Sequence, residues 1–300
     1  VLDLEALKRE ARAKRASLPA RNRFTIGELQ RLPPFFDWVE CRAAEGVRFR
    51  MFAGHDDAVA LRFYWNGEYE AHALRLWTGL SRSLGGIRID VGAHTGAYTL
   101  ASLAARPDGR VLSFEPHFMN FARLGLNLRA NGFPMRDAHP RAVGAAAAEA
   151  VFSISTAFDF LTTGGSLGAR EGGTAMPVRV VALDEVVGEA SHREVRLVKI
   201  DVEGGEADCL RGMQRILEAS RPVVFFECLA DEPGAQVEAL LRPLGYRFHE
   251  VDDDVGTVSA VDKVVPVLDG EGRPVKSRLN RIASTDPAFL ATLPGAGKGD

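Results

Sequence analysis

The stretch Ile87-Arg-Ile-Asp-Val-Gly-Ala-His-Thr-Gly96 decides how this chain is read. Ile87 to Val91 has the apolar run of a short strand. Asp90 stands at its end, and Gly92 and Gly96 bracket a turn into a helix expected over Thr95 to Ala105. Glycines at such a turn permit a tight strand-to-helix reversal and let the backbone come close to a ligand. The spacing is not the dinucleotide fingerprint GxGxxG, which seats a pyrophosphate on the helix N-terminus. An acid two residues before the first glycine repels a pyrophosphate and suits a ligand that carries an ammonium or a sulfonium.

Two further strand tips extend the pattern. Val111-Leu-Ser-Phe-Glu115-Pro116 sets an acid at the end of the next strand, one βαβ unit on. There it faces the ligand crevice of a doubly wound sheet and can accept both hydroxyls of a ribose. Leu197-Val-Lys-Ile-Asp-Val-Glu-Gly-Gly-Glu206 alternates Lys199, Asp201 and Glu203 along an apolar strand. Three charges on one face of a buried strand must be paired or must line a polar site, because each costs several kcal/mol if buried alone. Glu227 ends Val-Val-Phe-Phe-Glu in the same manner.

Around these tips the chain alternates apolar strands with helical periods. Strands are expected at 110–114, 138–144, 150–155, 178–182, 195–202, 222–228, 246–251 and 261–268, and helices at 118–130, 206–219 and 233–244. Such alternation predicts an α/β fold, with strands paired in parallel by right-handed crossovers in a doubly wound sheet. Residues 1–65 read as a lead-in. It has a helix within 1–30, ended by Pro33-Pro34, and a strand pair made of 47–52 and 58–65 turned by Asn66-Gly67. Tyr69 to Leu84 is helical in period. Residues 66–270 form the main domain, and 271–300 read as an extension with a loose tail. The Gly- and Thr-rich stretch 156–177 is either a lid or a surface connection.

Composition excludes several classes. The 300 residues carry a net charge of −3, without the clustered basic face that a nucleic-acid backbone requires. The seven Lys and Arg among residues 1–24 interleave with Asp3, Glu5 and Glu10 at helical spacing, as on a solvated helix face. No apolar run is long enough to span a membrane. Cys41, Cys209 and Cys228 have no metal or disulfide spacing, so a reducing cytoplasm is expected and a metal site is not.

Together these segments resemble the FkbM-type family of S-adenosylmethionine-dependent methyltransferases. The matching pieces include Tyr69-Glu70, Asp90-Val-Gly-Ala-His-Thr-Gly96, Phe114-Glu115-Pro116, Ala142-Val-Gly144 and Leu183-Asp184. The most specific is Lys199-Ile-Asp-Val-Glu-Gly204 with Glu206, followed by Glu227 and Leu244-Gly-Tyr246. The match runs over roughly 66–251. The resemblance implies a mostly parallel seven-stranded sheet of the class I methyltransferase type and S-adenosyl-L-methionine as cofactor. It puts Asp90 and Gly92 beside the methionine part and Glu115 on the ribose. Glu70, His94, Thr95, Gly96, Pro116 and Asp201 complete the cofactor set. His94 touches the cofactor carboxylate, lines the acceptor site or simply packs.

The expected reaction is O-methylation of a small natural-product or sugar acceptor. Asp201 or Glu203 orients or deprotonates the hydroxyl, and Lys199 holds their charge or stabilises an alkoxide. A protein-directed methyltransferase is the alternative acceptor class. A nicotinamide-dependent oxidoreductase or a non-catalytic nucleotide-binding module are the alternatives outside it.

Overall fold

The computed structural model describes residues 3–154, 165–168 and 174–292. Helices α1 (Leu4–Ala16) and α2 (Ile26–Leu29) lead into an antiparallel hairpin of β1 (Phe36–Ala44) and β2 (Val47–Gly54). Helices α3 (Ala58–Trp65) and α4 (Ala71–Ser83) follow. The alternating part begins with β3 (Ile87–Val91), α5 (Ala97–Ala105), β4 (Arg110–Phe114), α6 (Phe118–Ala130) and β5 (Ala138–His139). Next come β6 (Ala142–Val143), β7 (Ala148–Ile154), β8 (Ser166–Leu167), β9 (Thr174–Val181) and α7 (Leu183–Val187). The chain then runs through β10 (Val195–Ile200), α8 (Glu206–Arg211), α9 (Gln214–Ser220), β11 (Val223–Glu227) and α10 (Asp231–Leu241). It closes with β12 (Arg247–Asp252), β13 (Thr257–Val261), β14 (Asn280–Ser284) and α11 (Pro287–Thr292).

The main sheet has the order β13-β12-β14-β11-β10-β3-β4-β5. β5, β4, β3, β10 and β11 are mutually parallel, and β14 is inserted antiparallel between β11 and β12. Seven of these strands form the mostly parallel seven-stranded sheet that the resemblance implies. The eighth, β13, is a hairpin partner added outside β12. Both faces are covered, which is why the central strands read as unbroken apolar runs. Trp77, Leu100, Leu197 and Phe225 fill one side, and Ile89, Phe114, Ile200, Leu210 and Phe226 the other. The lead-in shares the first of these cores, with Leu29, Val39, Phe49 and Trp65 buried in it.

The structure departs from the expected elements in five places. Residues 58–65 are helix, not strand. Asp57 is wholly buried and accepts N–H from Val59 and Ala60, fixing a helix start that the β-forming side chains had masked. The partner of β2 is β1 instead. Residues 138–144 break into β5 and β6, which belong to different sheets, and β6 joins a second sheet of order β6-β9-β7-β8. The helix expected over 206–219 is split at Gly212. A Cβ there would lie 2.1 Å from the Gly144 carbonyl oxygen, and Asp184 caps the second half by accepting from Arg215 and Ile216 N–H. The strand near 261–268 lies earlier, at Thr257–Val261.

The fifth departure is β14, which lies in the stretch read as a C-terminal extension. Its Asn280 and Arg281 are buried, and only the Arg281 Nε lacks a partner among the described residues. Asn280 donates to Glu70, and Arg281 to the carbonyls of Arg278 and Val265. Most of the proposed lid falls outside the described residues, but Ser166–Leu167 and Thr174–Pro177 are strand. The tail at 294–300 also falls outside them.

Candidate active site

The C-terminal tips of β5, β4, β3, β10 and β11 open into one cavity of about 490 Å3. At the tip of β3, Gly92 takes φ +79, and a Cβ on it would stand 1.8 Å from the Asp201 carbonyl oxygen. The strand-to-helix turn can therefore lie against the tip of β10 only with glycine here. Gly96, at φ +102, starts α5 against Leu124. His94 also has positive φ, and its N–H donates to Glu115 Oε2 at 2.8 Å. Its Nδ1 lies 3.2 Å from the Thr95 hydroxyl, and its Nε2 has no partner among the described residues.

Glu115 is buried and faces the cavity from the tip of β4. Oε1 accepts from the His117 N–H at 2.9 Å, so two backbone donors fix the carboxylate. Burial pushes its pKa up, against the pull of His94 and of these N–H groups. The Asn120 side chain also hydrogen-bonds this carboxylate, and a carboxylate oxygen can accept more than one donor.

At the tip of β10, Lys199 is 2% exposed and its Nζ donates to Asp201 Oδ2 at 2.5 Å. The same ammonium lies 4.4 Å from the Tyr98 ring centroid. Burial works against its charge, but Asp201, Glu70, Asp90 and Glu227 outweigh burial and hold its pKa above the ordinary lysine value. Lys199 is therefore a fixed cation beneath the cavity wall. Glu203 lies past the strand end at φ +56, on a loop shaped by buried Glu206, which accepts from Gly204 and Val202 N–H. Burial raises the Glu206 pKa as well.

Of the residues singled out from sequence, Gly92, His94, Glu115, Pro116, Asp201 and Glu203 line the cavity. Asp90, Glu70, Thr95, Gly96 and Lys199 stand behind it. Asp90 Oδ2 accepts from the Thr99 hydroxyl at 2.6 Å, its Oδ1 has no partner among the described residues, and burial raises its pKa. Glu70, left-handed at the start of α4, accepts from the Tyr98 hydroxyl at 2.6 Å and from Asn280 at 3.2 Å.

Sequence reasoning gave no role to several lining residues, Tyr69, Arg141, Phe152 and Ser166, whereas Glu227 was singled out as a strand-tip acid. Glu227 obeys the same strand-tip rule as Glu115 and was legible. Phe152 and Ser166 come from the second sheet, whose approach to the cavity no motif announces. Among the described residues no group of three His, Cys, Asp or Glu is placed to hold a metal ion. No described helix is long and apolar enough to cross a membrane.

A family model described as the methyltransferase FkbM domain matches residues 90–248, just over half of the chain. Similar solved structures include the precorrin-6y C5,15-methyltransferase of Geobacter metallireducens, with 14% identity and a TM-score of 0.41 over 72% of this chain and 88% of that one. The methyltransferase FkbM of Methylobacillus flagellatus has 16% identity and a TM-score of 0.41, over 74% of this chain and 52% of that one. The SAM-dependent O-methyltransferase of Thermotoga maritima has 13% identity and a TM-score of 0.37, over 72% and 65%. No curated protein matches the chain. The family match spans the glycine turn at Gly92, the Glu115 tip, the Lys199–Glu206 segment and Glu227, and the chain belongs to the FkbM methyltransferase family.

Proposed function

We propose that the protein methylates a hydroxyl of a small natural-product or sugar acceptor in the cytoplasm, with S-adenosyl-L-methionine as donor. The observation that carries this reading is the Glu115 carboxylate, held by two backbone N–H groups at a strand tip and facing the same cavity as the Gly92 turn. The lining fits a ligand with a ribose and two cationic groups. It offers Glu115 for the hydroxyls, and Asp201, Glu203 and Glu227 against positive charge, with glycine backbone between them.

When bound, the donor supplies a methyl group on a positively charged sulfur, open to in-line displacement. Glu115 and the Gly92–His94 backbone hold the nucleoside and methionine parts. Thr95, Gly96, Asp90 and Glu70 support that wall from behind. Pro116 carries the chain on from Glu115 at the rim. Asp201 and Glu203 orient the acceptor hydroxyl, and Lys199 fixes Asp201 in place. Most of the rate then comes from alignment in a site shielded from water.

Calorimetric titration with S-adenosyl-L-methionine and, in parallel, NAD+ tests the reading. Saturable binding of the former, lost in Glu115→Ala, is the expected result. Binding of NAD+ alone, or of neither, would overturn it.

A further inference from the structure

Four carboxylates surround one ammonium at the base of the cavity: Asp201, Glu70, Asp90 and Glu227 all act on Lys199. Three of them have donors of their own. Asp201 is paired with Lys199, Glu70 accepts from Tyr98 and Asn280, and Asp90 accepts from Thr99. Glu227 differs. It is half-buried and lines the cavity, and its side chain makes no hydrogen bond or ion pair to any described residue. Ile200 pairs with Phe226 in the parallel register, so Asp201 and Glu227 end neighbouring strands side by side. On the far side, Asn280 of β14 pairs with Glu227 through the backbone while its amide is turned to Glu70. Of the charges acting on Glu227, Asp201, Glu70 and Glu203 oppose its ionisation and Lys199 favours it.

We propose that Glu227 receives the proton of the acceptor hydroxyl, and that the positive charge of the bound sulfonium, not Lys199, is what holds it ready to do so. This rests on the methyl-transfer reading above. Burial first and then Asp201 and Glu70 push the Glu227 carboxyl well above the usual carboxylate range, so it holds its proton more tightly than an ordinary carboxyl. A sulfonium in the cavity supplies the missing cation and drives that proton off. In the transfer step the acceptor oxygen forms its bond to the methyl carbon while the carbon–sulfur bond breaks, its electron pair staying on sulfur. The acceptor proton passes to Glu227. Because the sulfur is neutral afterwards, Glu227 loses its counter-charge, and its proton affinity rises in step with the reaction. Asp201 is already engaged, its Oδ2 accepting from the fixed Lys199 ammonium.

The test requires no acceptor. Calorimetry near neutral pH in two buffers of different ionisation enthalpy counts the protons exchanged on binding S-adenosylmethionine and S-adenosylhomocysteine. These ligands differ by the methyl group and its charge. Wild type is expected to release more protons with the sulfonium ligand, by up to about one. Glu227→Gln is expected to bind both ligands with no excess release. Equal counts in wild type, or an excess that survives in Glu227→Gln, would each overturn the assignment. Wild type that binds S-adenosylmethionine without the excess keeps the methyl-transfer reading and loses this one. Failure to bind it at all removes both.

Discussion

Lys199 Nζ and Asp201 Oδ2 meet at 2.5 Å across two residues of one strand end, with Lys199 buried and Asp201 open to the cavity on its other side. The pair turns three alternating charges into a structured wall. The ammonium is spent inside the protein, and the carboxylate is presented to the ligand. Removing one partner of a buried pair leaves the other charge uncompensated, which costs about 3–5 kcal/mol. Lys199→Met is expected to lower the urea midpoint by that order, with Asp201, Glu70 and Asp90 left to repel one another. A cost under about 1 kcal/mol would show that the cavity rehydrates Asp201 and that the pair is not structural.

The two glycines of the turn make different demands. Both hold positive φ, so alanine at either costs about 1–2 kcal/mol of backbone strain. At Gly96 the obstacle is the Leu124 Cδ1 atom, 2.5 Å from the added Cβ, and a side chain can move aside. At Gly92 the obstacle is the Asp201 carbonyl oxygen at 1.8 Å, so the tips of β3 and β10 must part. Gly92→Ala is expected to weaken S-adenosylmethionine binding at least about tenfold, equal to about 1.4 kcal/mol. Gly96→Ala should leave affinity within about threefold and lower stability instead. Titration of both folded variants decides it, and equal loss of affinity would refute the distinction.

Strands β3, β4, β10 and β11 were legible because each is an apolar, largely buried run that ends at a glycine or an acid at the ligand crevice. Asp90, Glu115, Asp201 and Glu227 are all strand-tip residues of this kind. What failed was the inverse rule, that polar sequence lies outside. Asn280-Arg-Ile-Ala-Ser284 has two apolar residues in five and still sits between β11 and β12, because Glu70, Glu250 and backbone carbonyls pair the Asn280 amide and the two terminal nitrogens of Arg281. Within the site, chain alternation correctly put Lys199 and Asp201 on one face. It could not show that the strand stops at Ile200 and leaves Glu203 on a loop. Asp90 was placed beside the ligand by its distance from Gly92, yet it is held behind the wall by the Thr99 hydroxyl.

The misread segment 58–65 yields its own prediction. Its Val, Phe, Tyr and Trp favour a strand, and a buried cap overrides them. Asp57 Oδ1 accepts from Val59 at 2.9 Å and from Ala60 at 3.1 Å, while Tyr64 stacks on Phe35 with centroids 3.7 Å apart. Asp57→Ala removes the acceptor of both N–H groups and is expected to cost about 1–2 kcal/mol in chemical denaturation. Asp57→Asn, which keeps the accepting oxygen, should recover most of that loss. If Asn is as damaging as Ala, the carboxylate charge matters more than the cap.

Asp253 gives the pH dependence its sign. It lies in the turn between β12 and β13 and caps α4 from a distance, accepting from His72 N–H at 2.8 Å and Ala73 N–H at 2.9 Å. Glu70, the residue before α4, has no capping bond of its own. Burial first, then the Glu70 charge, push Asp253 up to about 7, while the two N–H groups and Asn280 pull it down. The folded value thus lies above the unfolded one of about 3.9, so the folded state holds the proton more tightly. The associated stability is complete below about pH 4, is lost as pH rises through about 7, and is level above that. Asp253→Asn keeps the capping oxygen and removes the titration. It is expected to match wild type near pH 4 and to exceed it near pH 8 by on the order of 1–2 kcal/mol, with partial exposure of the site discounted. Asp90, Glu115, Glu206 and Glu227 are raised in both proteins, so their contributions cancel in the difference. Denaturation midpoints across this range separate the outcomes: parallel curves would mean that Asp253 stays ionised throughout and that Asn280 and the helix N-terminus fully offset Glu70.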